Sequence, residues 1–562
     1  MSEDISQKRK IKYIFVTGGV VSSVGKGIAS ASLGLLLESR GYKIAMMKID
    51  PYINVDPGTM NPFEHGEVFV TDDGAETDLD LGHYQRFTNA KLTKKSNTTT
   101  GAIYYSVIRK EREGAYSGKT VQVIPHITGE IKNRIRALTA EDEDVDIAIV
   151  EIGGTVGDIE SLPFLEAIRQ FRMEVGPENC CFIHVTHLPY IEAANELKTK
   201  PTQHSVRALR DIGIQPNVII CRTGDKSLEP EQIDKVALFC EVPRKGIINA
   251  PDISPVYLIP LNFKEQNFDL TVLEILGLDP RESDLTQWIN MVNKLNSLEE
   301  EVRIAAVGKY TKHGDAYKSI NEAFIHAGIA NNCKVSFEWI DSKRFDPTCE
   351  EYENPEDVLA GYHGILVGPG FGGRGVEGKI NVVRFARENK IPYFGICFGM
   401  QIAVIEFARN FLGMKGAHTT EIDPATPYPV ISLLTEQKGV QQIGGTMRLG
   451  AYSCEIKPGT IAAEAYKEPV VYERHRHRYE FNNKYRRMFE EAGMIVSGVH
   501  HRKLLDGEEE ELVEIIELKR DLHPWFCASQ FHPEFKSTPL KPQPLFCAFI
   551  RAALEYKKNH GP

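Results

Sequence analysis

The sequence predicts an α/β protein with two domains, each built on a parallel sheet. Short apolar runs rich in β-branched residues alternate with segments of helical period, as in parallel sheets covered by helices. This alternation breaks after Leu278-Asp279-Pro280, where a polar helix follows. The apolar run 302–308 then opens a second sheet. We therefore expect a first domain at residues 1–280, a linker at 281–301 and a second domain at 302–562.

The composition is that of an ordinary globular protein, with 562 residues, 42% hydrophobic, 25% charged and a net charge of −11. The acidic balance, without a long basic run, argues against nucleic-acid binding. No apolar run reaches the length of about 18 residues that a membrane-spanning helix needs. The ten cysteines show no Cys-x-x-Cys spacing. Zinc and disulfide frameworks are therefore disfavoured, and a reducing, cytoplasmic setting is expected.

The first predicted strand, Tyr13 to Thr17, leads through a glycine-rich loop containing Lys26 into a helix rich in Ala, Ser and Leu. This is the layout of a P-loop, in which backbone N–H groups, the helix dipole and a lysine hold phosphates. The spacing is not strict, because Gly19 and Gly25 are one residue too far apart and Gly27 replaces the usual Ser or Thr. A plain glycine-rich connector is the alternative. The candidate phosphate-binding residues are Ser22, Ser23, Val24, Gly25, Lys26 and Gly27.

Two acidic residues are candidates for holding Mg²⁺, which prefers oxygen ligands. Glu151 ends the apolar strand 146–151, so it is delivered to the carboxyl edge where α/β proteins bind ligands. The second candidate lies in Asp78-Leu79-Asp80-Leu81-Gly82, where the residues alone do not decide between the two aspartates. For Asp80 the competing interpretation is a solvated acid in a loop.

The second domain contains Gly395-Ile396-Cys397-Phe398-Gly399 directly after an apolar run. A strand that turns sharply through Gly-x-Cys-x-Gly into a helix is a nucleophile elbow, and the helix dipole favours the thiolate. Downstream, His532 is followed two residues later by Glu534, which offers a base and the carboxylate that orients it. The alternative is a buried structural cysteine and an unrelated surface histidine.

These segments resemble the class I glutamine amidotransferases over roughly residues 300–562. The resemblance implies that Cys397 attacks the side-chain amide of glutamine, forming a thioester and releasing ammonia. Opposite charges at Glu421 and Arg478 suit the α-ammonium and α-carboxylate of that substrate. The glutamine-binding residues implied by the resemblance are Gly370, Phe398, Gly399, Met400, Gln401, Glu421 and Arg478.

One position departs from the pattern of that family. Its loop reads Pro-Gly-Gly-Phe-Gly, whereas this chain has Gly-Pro-Gly-Phe-Gly at residues 368–372. The family's oxyanion hole uses a backbone N–H at the position of Pro369 together with that of Phe398, and proline has no N–H. Either Gly370 donates instead, or the oxyanion hole is weaker.

Further segments of the first domain extend the resemblance to almost the whole chain. They are residues 48–60, 65–68, 122–128, 153–160 and 198–205. Together with the P-loop and the elbow, in this order, they resemble the CTP synthase family. The resemblance implies a ligase that phosphorylates O4 of UTP with ATP as co-substrate and then displaces the phosphate with ammonia.

The resemblance also assigns roles to residues of the first domain. Asp80 and Glu151 would hold Mg²⁺, Asp80 would also contact ATP, and Lys48 would stabilise the moving phosphoryl group. The residues implied for UTP, or for CTP as feedback inhibitor, are Ser22, Asp158, Ile159, Glu160, Lys198, Thr199, Lys200, Pro201, Thr202, Gln203 and Lys235.

The family resemblance implies further partners and features. An internal channel would carry ammonia, with His65 and Val68 as candidates for its lining. GTP would activate glutamine hydrolysis as an allosteric effector, and segment 374–378 is either a lid coupled to it or a plain surface turn. Homotetramers, and filaments built from them, are usual in such proteins.

Two other classes of protein compete with this interpretation. A cobyric-acid-type amidotransferase also joins a P-loop ligase domain to a glutaminase, but it lacks the run Lys48-Ile49-Asp50-Pro51-Tyr52-Ile53-Asn54. A nucleotide switch of the ParA or MinD type also has a deviant P-loop. That class leaves Cys397, His532 and Glu534 without a role.

Overall fold

Residues 12–296 form alternating strands and helices. A computed structural model describes residues 10–140, 142, 144–311, 314–433, 447–503, 507 and 509–561. In chain order the first elements are β1 (Lys12–Gly18), α1 (Lys26–Ser39), β2 (Ile44–Asp50), α2 (Pro62–His65), β3 (Phe69–Val70), β4 (Glu76–Thr77), α3 (Asp80–Phe87), β5 (Asn97–Thr99), α4 (Thr100–Arg112), α5 (Thr128–Ala137), β6 (Ile147–Ile152), α6 (Leu162–Val175), β7 (Cys180–His187), β8 (Tyr190–Ile191), β9 (Glu196–Leu197), α7 (Lys200–Asp211), β10 (Val218–Arg222), α8 (Pro230–Cys240), β11 (Ile247–Ala250), α9 (Ile259–Glu265), α10 (Phe268–Leu276) and α11 (Thr286–Asn296).

Seven of these strands form one parallel sheet in the order β11-β10-β7-β1-β6-β2-β5. The central strand β1 has both faces covered, since all its residues after Lys12 are buried. Strands buried on both faces are expected to be continuous apolar runs, as the sequence of β1 is. The predicted doubly wound parallel sheet is confirmed. Its carboxyl edge carries the loops that follow β1, β2 and β6, where ligands of such folds bind.

The remaining elements follow in the order β12 (Glu301–Gly308), α12 (Lys318–Asn331), β13 (Lys334–Asp341), α13 (Pro355–Leu359), β14 (Gly364–Val367), α14 (Val376–Glu388), β15 (Tyr393–Ile396), α15 (Phe398–Glu406), β16 (His418–Thr419), β17 (Pro429–Leu433), β18 (Arg448–Ile456), α16 (Ile461–Tyr466), β19 (Val470–His477), β20 (Tyr479–Phe481), α17 (Arg486–Glu491), β21 (Met494–Lys503), β22 (Glu509–Leu518), β23 (Phe526–Ser529) and α18 (Pro544–His560).

Nine of these strands form a mixed sheet in the order β13-β12-β14-β15-β23-β22-β21-β18-β19. The half from β13 to β23 is parallel, and the pairings from β23 onward to β19 are antiparallel. The parallel half brings the end of β15 beside the end of β23, with Ile396 opposite Ser529. Cys397 and the segment leading to His532 therefore leave the sheet at the same edge. The predicted α/β architecture of the second domain is confirmed.

The chain divides into two units whose bounds differ from the expected ones. One unit runs up to Pro57 and resumes over Thr77–Val292, and the other combines Gly58–Glu76 with the chain from Asn293 onward. The expected linker starts inside the first unit, because Trp288 of α11 is buried and its Nε1 donates to the carbonyl of Tyr257 at 2.9 Å. Among the described helices, none is long and apolar enough to cross a membrane.

Candidate functional site

The glycine-rich loop after β1 ends in a helix start that holds a buried lysine. Gly25 precedes α1 with a φ of 90°, in the left-handed region that glycine enters without strain. Lys26 is buried, and its Nζ donates to the carbonyl of Gly154 at 3.0 Å. Ser22 and Ser23 are exposed, whereas the side chain of Val24 is buried. The loop thus presents two hydroxyls and a lysine at the N-terminus of α1, as phosphate binding requires.

The departure from the usual P-loop at Gly27 has a steric reason. A Cβ at Gly27 would lie 2.1 Å from Oδ1 of Asp80, so a side chain at this position would require Asp80 to move. A carboxylate oxygen from α3 therefore stands where the P-loop usually supplies a metal ligand from α1.

Lys48, near the end of β2, forms ion pairs with both predicted metal ligands, Asp80 and Glu151. Its Nζ lies 2.7 Å from Oε1 of Glu151 and forms a second ion pair with Asp80. The hydroxyl of Tyr84 donates to the other oxygen of Glu151. The structure brings Lys48, Asp80 and Glu151 into one buried cluster, with Lys26 close enough for its charge to affect them.

The charges of this cluster balance one another only in part. Burial disfavours the ammonium of Lys48, but Asp80 and Glu151 hold its pKa well above the usual value. Burial, and then the charges of Asp50 and Asp80, raise the pKa of Asp78. Burial and the charge of Asp80 also raise the pKa of Glu151. Since the carboxylates repel each other here, an added cation would stabilise them.

Oxygen donors that converge on one point are the set that Mg²⁺ prefers, so Asp80 and Glu151 fit the ion. Both already contact the same Nζ atom, which places their oxygens within reach of a common cation. Within the described ranges, no group of three His, Cys, Asp or Glu side chains forms a complete metal site.

The residues predicted for the pyrimidine nucleotide lie in four places in the first unit: Ser22 in the glycine-rich loop, the turn 158–160, residues 198–203 at the start of α7, and Lys235 in α8. Thr199 and Lys200 begin α7, where Gln203 Nε2 donates to Thr199 Oγ1 at 3.0 Å. Lys198 pairs with Glu196, and its hydrogen bond and charge lower the pKa of that carboxyl, with a smaller effect from the charge of Lys235.

Pro201 and Thr202 belong to the first turn of α7, where the hydroxyl of Thr202 lies 3.0 Å from that of Thr186. Asp158, Ile159 and Glu160 instead form an exposed turn before α6, and the Ile159 side chain is 83% exposed. In the described part of the chain, no hydrogen bond joins this turn to the start of α7.

Cys397 stands at a strained turn in the second unit. It connects β15 to α15 with a φ of 52° and a ψ of −101°, outside the regions that side chains other than glycine favour. Its own N–H donates to the carbonyl of Ser529 at 2.7 Å. A Cβ at Gly399 would lie 2.1 Å from the carbonyl oxygen of Val367, so only glycine lets the helix start this close to β14. This is the predicted nucleophile elbow.

His532 is paired with Glu534 as the sequence predicts. Its Nδ1 lies 2.7 Å from Oε1 of Glu534, and both side chains are buried. Burial disfavours the imidazolium, but the charges of Glu534 and then Cys397 raise the pKa of His532 to about 10. At neutral pH the imidazole of His532 is therefore protonated. Cys397, His532 and Glu534 form one electrostatically coupled group.

Two neighbouring histidines of β19 behave differently. His475 and His477 are buried, and their ring nitrogens Nδ1 and Nε2 lie 2.9 Å apart. Burial and then the charge of Arg448 hold both pKa values well below the usual one. Arg448 also contacts the nearby carboxyls, at 2.6 Å from Glu514 and 3.3 Å from Glu480. The positive charge of a histidine in this region is therefore confined to His532.

A cavity of about 90 Å³ opens against the sulfur. Its lining includes five of the predicted glutamine contacts, namely Gly370, Phe398, Gln401, Glu421 and Arg478. Phe371, His477 and Tyr479 also line it. The buried Oε1 of Gln401 has no hydrogen-bond partner among the described residues. The cavity thus presents acceptors and a guanidinium to a small zwitterionic substrate.

Two of the predicted glutamine contacts lie outside the lining of this cavity. Met400 is fully buried in the hydrophobic core of the second unit. Gly399 packs against β14, as described above. Both residues come from the first turn of α15, whose other side faces the cavity.

Two buried lysines hold the loop that contains Pro369. Lys379 Nζ donates to the carbonyl of Gly368 at 2.9 Å, and Lys309 Nζ donates to that of Phe371 at 2.6 Å. Burial lowers the pKa of Lys309 to about 8, although the nearby Glu421 opposes this. Burial, and then the charge of Lys309, hold the pKa of Lys379 well below its usual value. The carbonyls of the loop are thus turned toward the lysines.

The segment Gly58–Glu76 supports the strand behind the triad. Asp72 pairs with Arg474 at 2.6 Å and Glu76 pairs with Arg476 at 2.8 Å. The carbonyls of these two arginines face the triad, since Arg474 accepts from the N–H of His532 at 2.7 Å and Arg476 lies 3.9 Å from Cys397 Sγ. Sequence reasoning placed this segment in the first domain.

The residues predicted to line a channel, and the segment predicted as a lid, belong to the second unit. His65 is exposed at the end of α2, and Val68 is buried. Within segment 374–378, Val376 begins α14, and Glu377 pairs with Arg409 at 2.9 Å. A Cβ at Gly378 would lie 1.8 Å from the carbonyl oxygen of Ser342, so this turn is closely packed.

Sequence reasoning missed several residues around the sulfur: Lys309, Lys379, Phe371, His477 and Tyr479. A signal was available for Lys309, which directly follows the buried strand β12 where a lysine is unusual. His477 and Tyr479 reach the cavity from β19 and β20, whose local patterns indicate only strand, and Phe371 reaches it from the loop at residues 368–372.

Two family models match successive parts of the chain. The model of the glutamine amidotransferase class-I family matches residues 313–552, and that of the CTP synthase N-terminus matches residues 12–278. These matches define a class I glutamine amidotransferase domain joined to a domain of the CTP synthase N-terminal family.

Relatives cover almost the whole chain. CTP synthase of Clostridium acetobutylicum is 56% identical over 550 residues, which is 98% of this chain and 100% of that protein. CTP synthase of Halalkalibacterium halodurans is 57% identical over 544 residues, or 97% and 99% of the two chains. The chain belongs to the CTP synthase family. A solved structure of the glutaminase domain of Trypanosoma brucei CTPS with bound acivicin is 37% identical and covers 45% of this chain and 94% of its own, with a TM-score of 0.41.

Proposed function

We propose that the chain is a ligase that forms the C–N bond of CTP, converting UTP with ATP and with ammonia from glutamine. The observation that carries this proposal is the occurrence, in one chain, of a Cys-His-Glu site on a small polar cavity and a P-loop site with buried lysines and carboxylates. Membership of the CTP synthase family supports the pairing of these two chemistries. A nucleotide switch would use only the second site.

In the glutaminase half, the thiolate of Cys397 attacks the side-chain carbonyl of glutamine. The protonated His532 gives its proton to the departing nitrogen, so that ammonia leaves and a thioester remains. His532, now neutral, then takes a proton from water, which attacks the thioester and releases glutamate. Glu534 holds the imidazole in place and stabilises its charged form.

The tetrahedral intermediate needs two donors for its oxyanion. Phe398 follows the nucleophile and is the first residue of α15, where helical N–H groups have no partner in the preceding turn. Gly370 lines the same cavity, and no hydrogen bond of the described residues uses its N–H. We therefore assign the donation that Pro369 cannot make to Gly370.

The substrate's charged ends are matched by the cavity. Glu421 and the unpartnered Oε1 of Gln401 accept from the α-ammonium group. Arg478 binds the α-carboxylate.

In the synthase half, the amide-like O4 of UTP is a poor leaving group and must first become a phosphate ester. Phosphoryl transfer requires mainly positioning and neutralisation of charge. Lys26 at the start of α1 contacts the ATP phosphates, and Lys48 stabilises the transferred group. Ammonia then displaces phosphate to give CTP, ADP and phosphate.

Mg²⁺ would be held by Asp80 and Glu151, whose oxygens converge in the structure. The ion would neutralise phosphate charge when bound. Lys48, which now bridges these two carboxylates, is then free to contact the substrate.

The pyrimidine nucleotides would bind through the positive charge of Lys198 and Lys235 and through the start of α7, with segment 158–160 contacting CTP as inhibitor. GTP acts as activator of the glutaminase, and ammonia passes through an internal channel. We further propose a cytoplasmic homotetramer that is able to form filaments.

The test is CTP formation from UTP, ATP and Mg²⁺, with glutamine plus GTP in one arm and ammonium chloride in the other. Product in both arms is expected. Replacing the nucleophile, Cys397→Ala, should reduce the glutamine arm by at least about 10⁴-fold and leave the ammonia arm within about twofold.

The control is Cys349→Ala, because Cys349 is a partly exposed cysteine of the same unit. This variant should keep both arms. Folded wild-type protein that makes no CTP in either arm would overturn the proposed function and favour a nucleotide switch. Product with ammonia alone would show that the altered oxyanion loop does not support glutamine hydrolysis.

A further inference from the structure

Two buried glutamines connect the substrate cavity to the sulfur of Cys397. Gln401 lies on the first turn of α15 and is 3% exposed, and Gln530 directly follows β23 and is 0% exposed. The backbone of Gln530 is fixed, because its N–H donates to the carbonyl of Glu514 at 2.8 Å. A buried side-chain amide must find partners for both its nitrogen and its oxygen.

The orientation of both amides follows from one carbonyl group. Nε2 of Gln401 lies 3.0 Å from the carbonyl oxygen of Tyr479, which can only accept a hydrogen bond, so the nitrogen must face it. The same Nε2 lies 3.3 Å from Oε1 of Gln530. The oxygen of Gln530 is therefore used, and its Nε2 points the other way, to within 3.7 Å of Cys397 Sγ.

Because Nε2 of Gln530 faces the sulfur, the hydrogen bond between them has a fixed direction. Nε2 of Gln530 carries only donors, so Sγ has to accept. A neutral thiol can also donate, and the carbonyl of Arg476 at 3.9 Å is available for that purpose. A thiolate can only accept, and hydrogen bonds to a charged acceptor are roughly twice as strong as neutral ones. The contact with Gln530 therefore favours the thiolate over the thiol.

We propose that Gln530 is a further catalytic residue of the glutaminase site, donating from Nε2 to Sγ of Cys397 and stabilising the thiolate. The inference rests on the proposed glutamine hydrolysis. The role falls at two points of that reaction. Before attack, the donor keeps the electron pair on sulfur. When water has added to the thioester, the C–S bond breaks, its electron pair returns to Sγ, and Gln530 again donates a hydrogen bond to the charged sulfur.

The chain of amides also connects substrate binding to the nucleophile. Oε1 of Gln401 is buried and unpartnered among the described residues, and Gln401 belongs to the cavity lining. A substrate N–H that donates to this oxygen polarises the amide and makes its Nε2 a stronger donor to Gln530. The hydrogen bond from Gln530 to sulfur strengthens in turn.

The experiment measures how fast iodoacetamide alkylates Cys397 from pH 5 to 10, read by mass spectrometry of the peptide that contains it. Two variants of the full chain test the donor. Gln530→Met removes the amide, and Gln530→Glu keeps an oxygen for Gln401 but places a carboxylate against the sulfur. At pH 7 we expect alkylation to slow about tenfold in Gln530→Met, the size of one hydrogen bond to a charged group. In Gln530→Glu we expect a larger loss, with the profile moved to higher pH.

The control is Gln543→Met, because Gln543 is also buried in the second unit but donates to Tyr466 and Glu473, away from the sulfur. This variant reports the effect of removing a buried amide and should keep the alkylation profile of the wild type. A cooperative thermal unfolding transition shows that the Gln530 variants are folded.

Alkylation profiles of both Gln530 variants that coincide with the wild type would overturn the role of Gln530 while leaving the proposed function intact. Wild-type protein that neither releases glutamate nor makes CTP would instead overturn the proposed function itself. If Gln530→Met does not fold, Gln530→Glu decides, because it is isosteric and retains the bond from Gln401.

Discussion

The two candidate sites differ in how their charges are arranged before any substrate binds. In the P-loop site, Lys48 bridges Asp80 and Glu151, so the groups that should act on phosphates neutralise one another. In the glutaminase site, the ring of His532 is already hydrogen-bonded to Glu534, and the elbow already holds Cys397 in its strained conformation. The comparison indicates that the first site needs its ligands to reach a working arrangement, whereas the second is preorganised.

Replacing the bridging lysine, Lys48→Met, is the strongest way to separate the two sites. It leaves Asp80 and Glu151 buried without their cation, which costs about 3–5 kcal/mol of stability. It also removes the positive charge that would stabilise the transferred phosphoryl group. We expect ammonia-dependent CTP synthesis to fall at least about 10³-fold, while glutamate release persists. Both are measured by product formation on the purified variant.

The matched control is Lys43→Met, because Lys43 pairs with Asp144 on the exposed surface. It should leave both activities unchanged. If Lys48→Met does not fold, Lys48→Arg keeps the charge and should lose synthesis by at least about tenfold because the guanidinium has a different geometry. Synthesis within tenfold of the wild type in Lys48→Met would mean that the bridge has no part in phosphoryl transfer.

The glutaminase site makes a prediction on pH dependence. Because the pKa of His532 is raised to about 10, its charge contributes stability that is fully present below the ordinary value of 6.5 and is lost as pH rises through about 10. Glutamate release should therefore persist in alkaline solution. Replacing Glu534→Gln removes the largest favourable charge, so the alkaline limb of kcat/KM should move toward neutral pH, with a loss of about 10- to 100-fold at pH 9.

Glu480→Gln provides the control for this change. Burial raises the pKa of Glu480 to about 8, although the charge of Arg448 opposes this, so a neutral glutamine changes less charge here than at an ordinary glutamate. The alkaline limb should stay in place in that variant. A limb that does not move in Glu534→Gln would show that Glu534 is not the group that keeps His532 charged.

The parts of both sites that the sequence predicts are those with local signals. The Gly-x-Cys-x-Gly turn is one, because the elbow needs small residues at fixed spacing, and the His532–Glu534 pair is another, because its members are two residues apart. The carboxyl edge of the first sheet follows from the strand that ends at Glu151. These features depend on spacing that a reader can see in the chain.

The remaining features come from contacts between distant residues. Asp72 and Arg474 are 402 residues apart, and no local pattern indicates that segment Gly58–Glu76 packs in the second unit. Gln401 and Gln530 are 129 residues apart. The direction of their hydrogen bonds is set by the carbonyl of Tyr479, which belongs to a third segment. From the sequence, Gly27 is only a departure from the P-loop pattern. The structure shows that Asp80 occupies the space where a side chain at residue 27 would begin.

The smallest expected effect concerns Pro369 and shows how far preorganisation extends in the glutaminase site. Pro369→Gly restores the missing N–H, and a hole that lacked a donor would gain about 100- to 1000-fold in turnover. Because Gly370 lines the cavity with an N–H that no described residue uses, we expect glutamate release to change by less than about threefold. Stability should fall by about 0.4–1 kcal/mol or somewhat more, since glycine gives the unfolded chain more freedom than proline.

Glutamate release and thermal unfolding measure the two quantities on the same preparation. Gly370→Ala is the companion variant, and its Cβ would lie 3.4 Å from Cδ of Lys309, a contact that fits with little adjustment. Its N–H remains, so turnover should again change little. A rise of tenfold or more in Pro369→Gly would mean that Gly370 does not donate, and that this loop, unlike the triad, is incompletely arranged for the reaction.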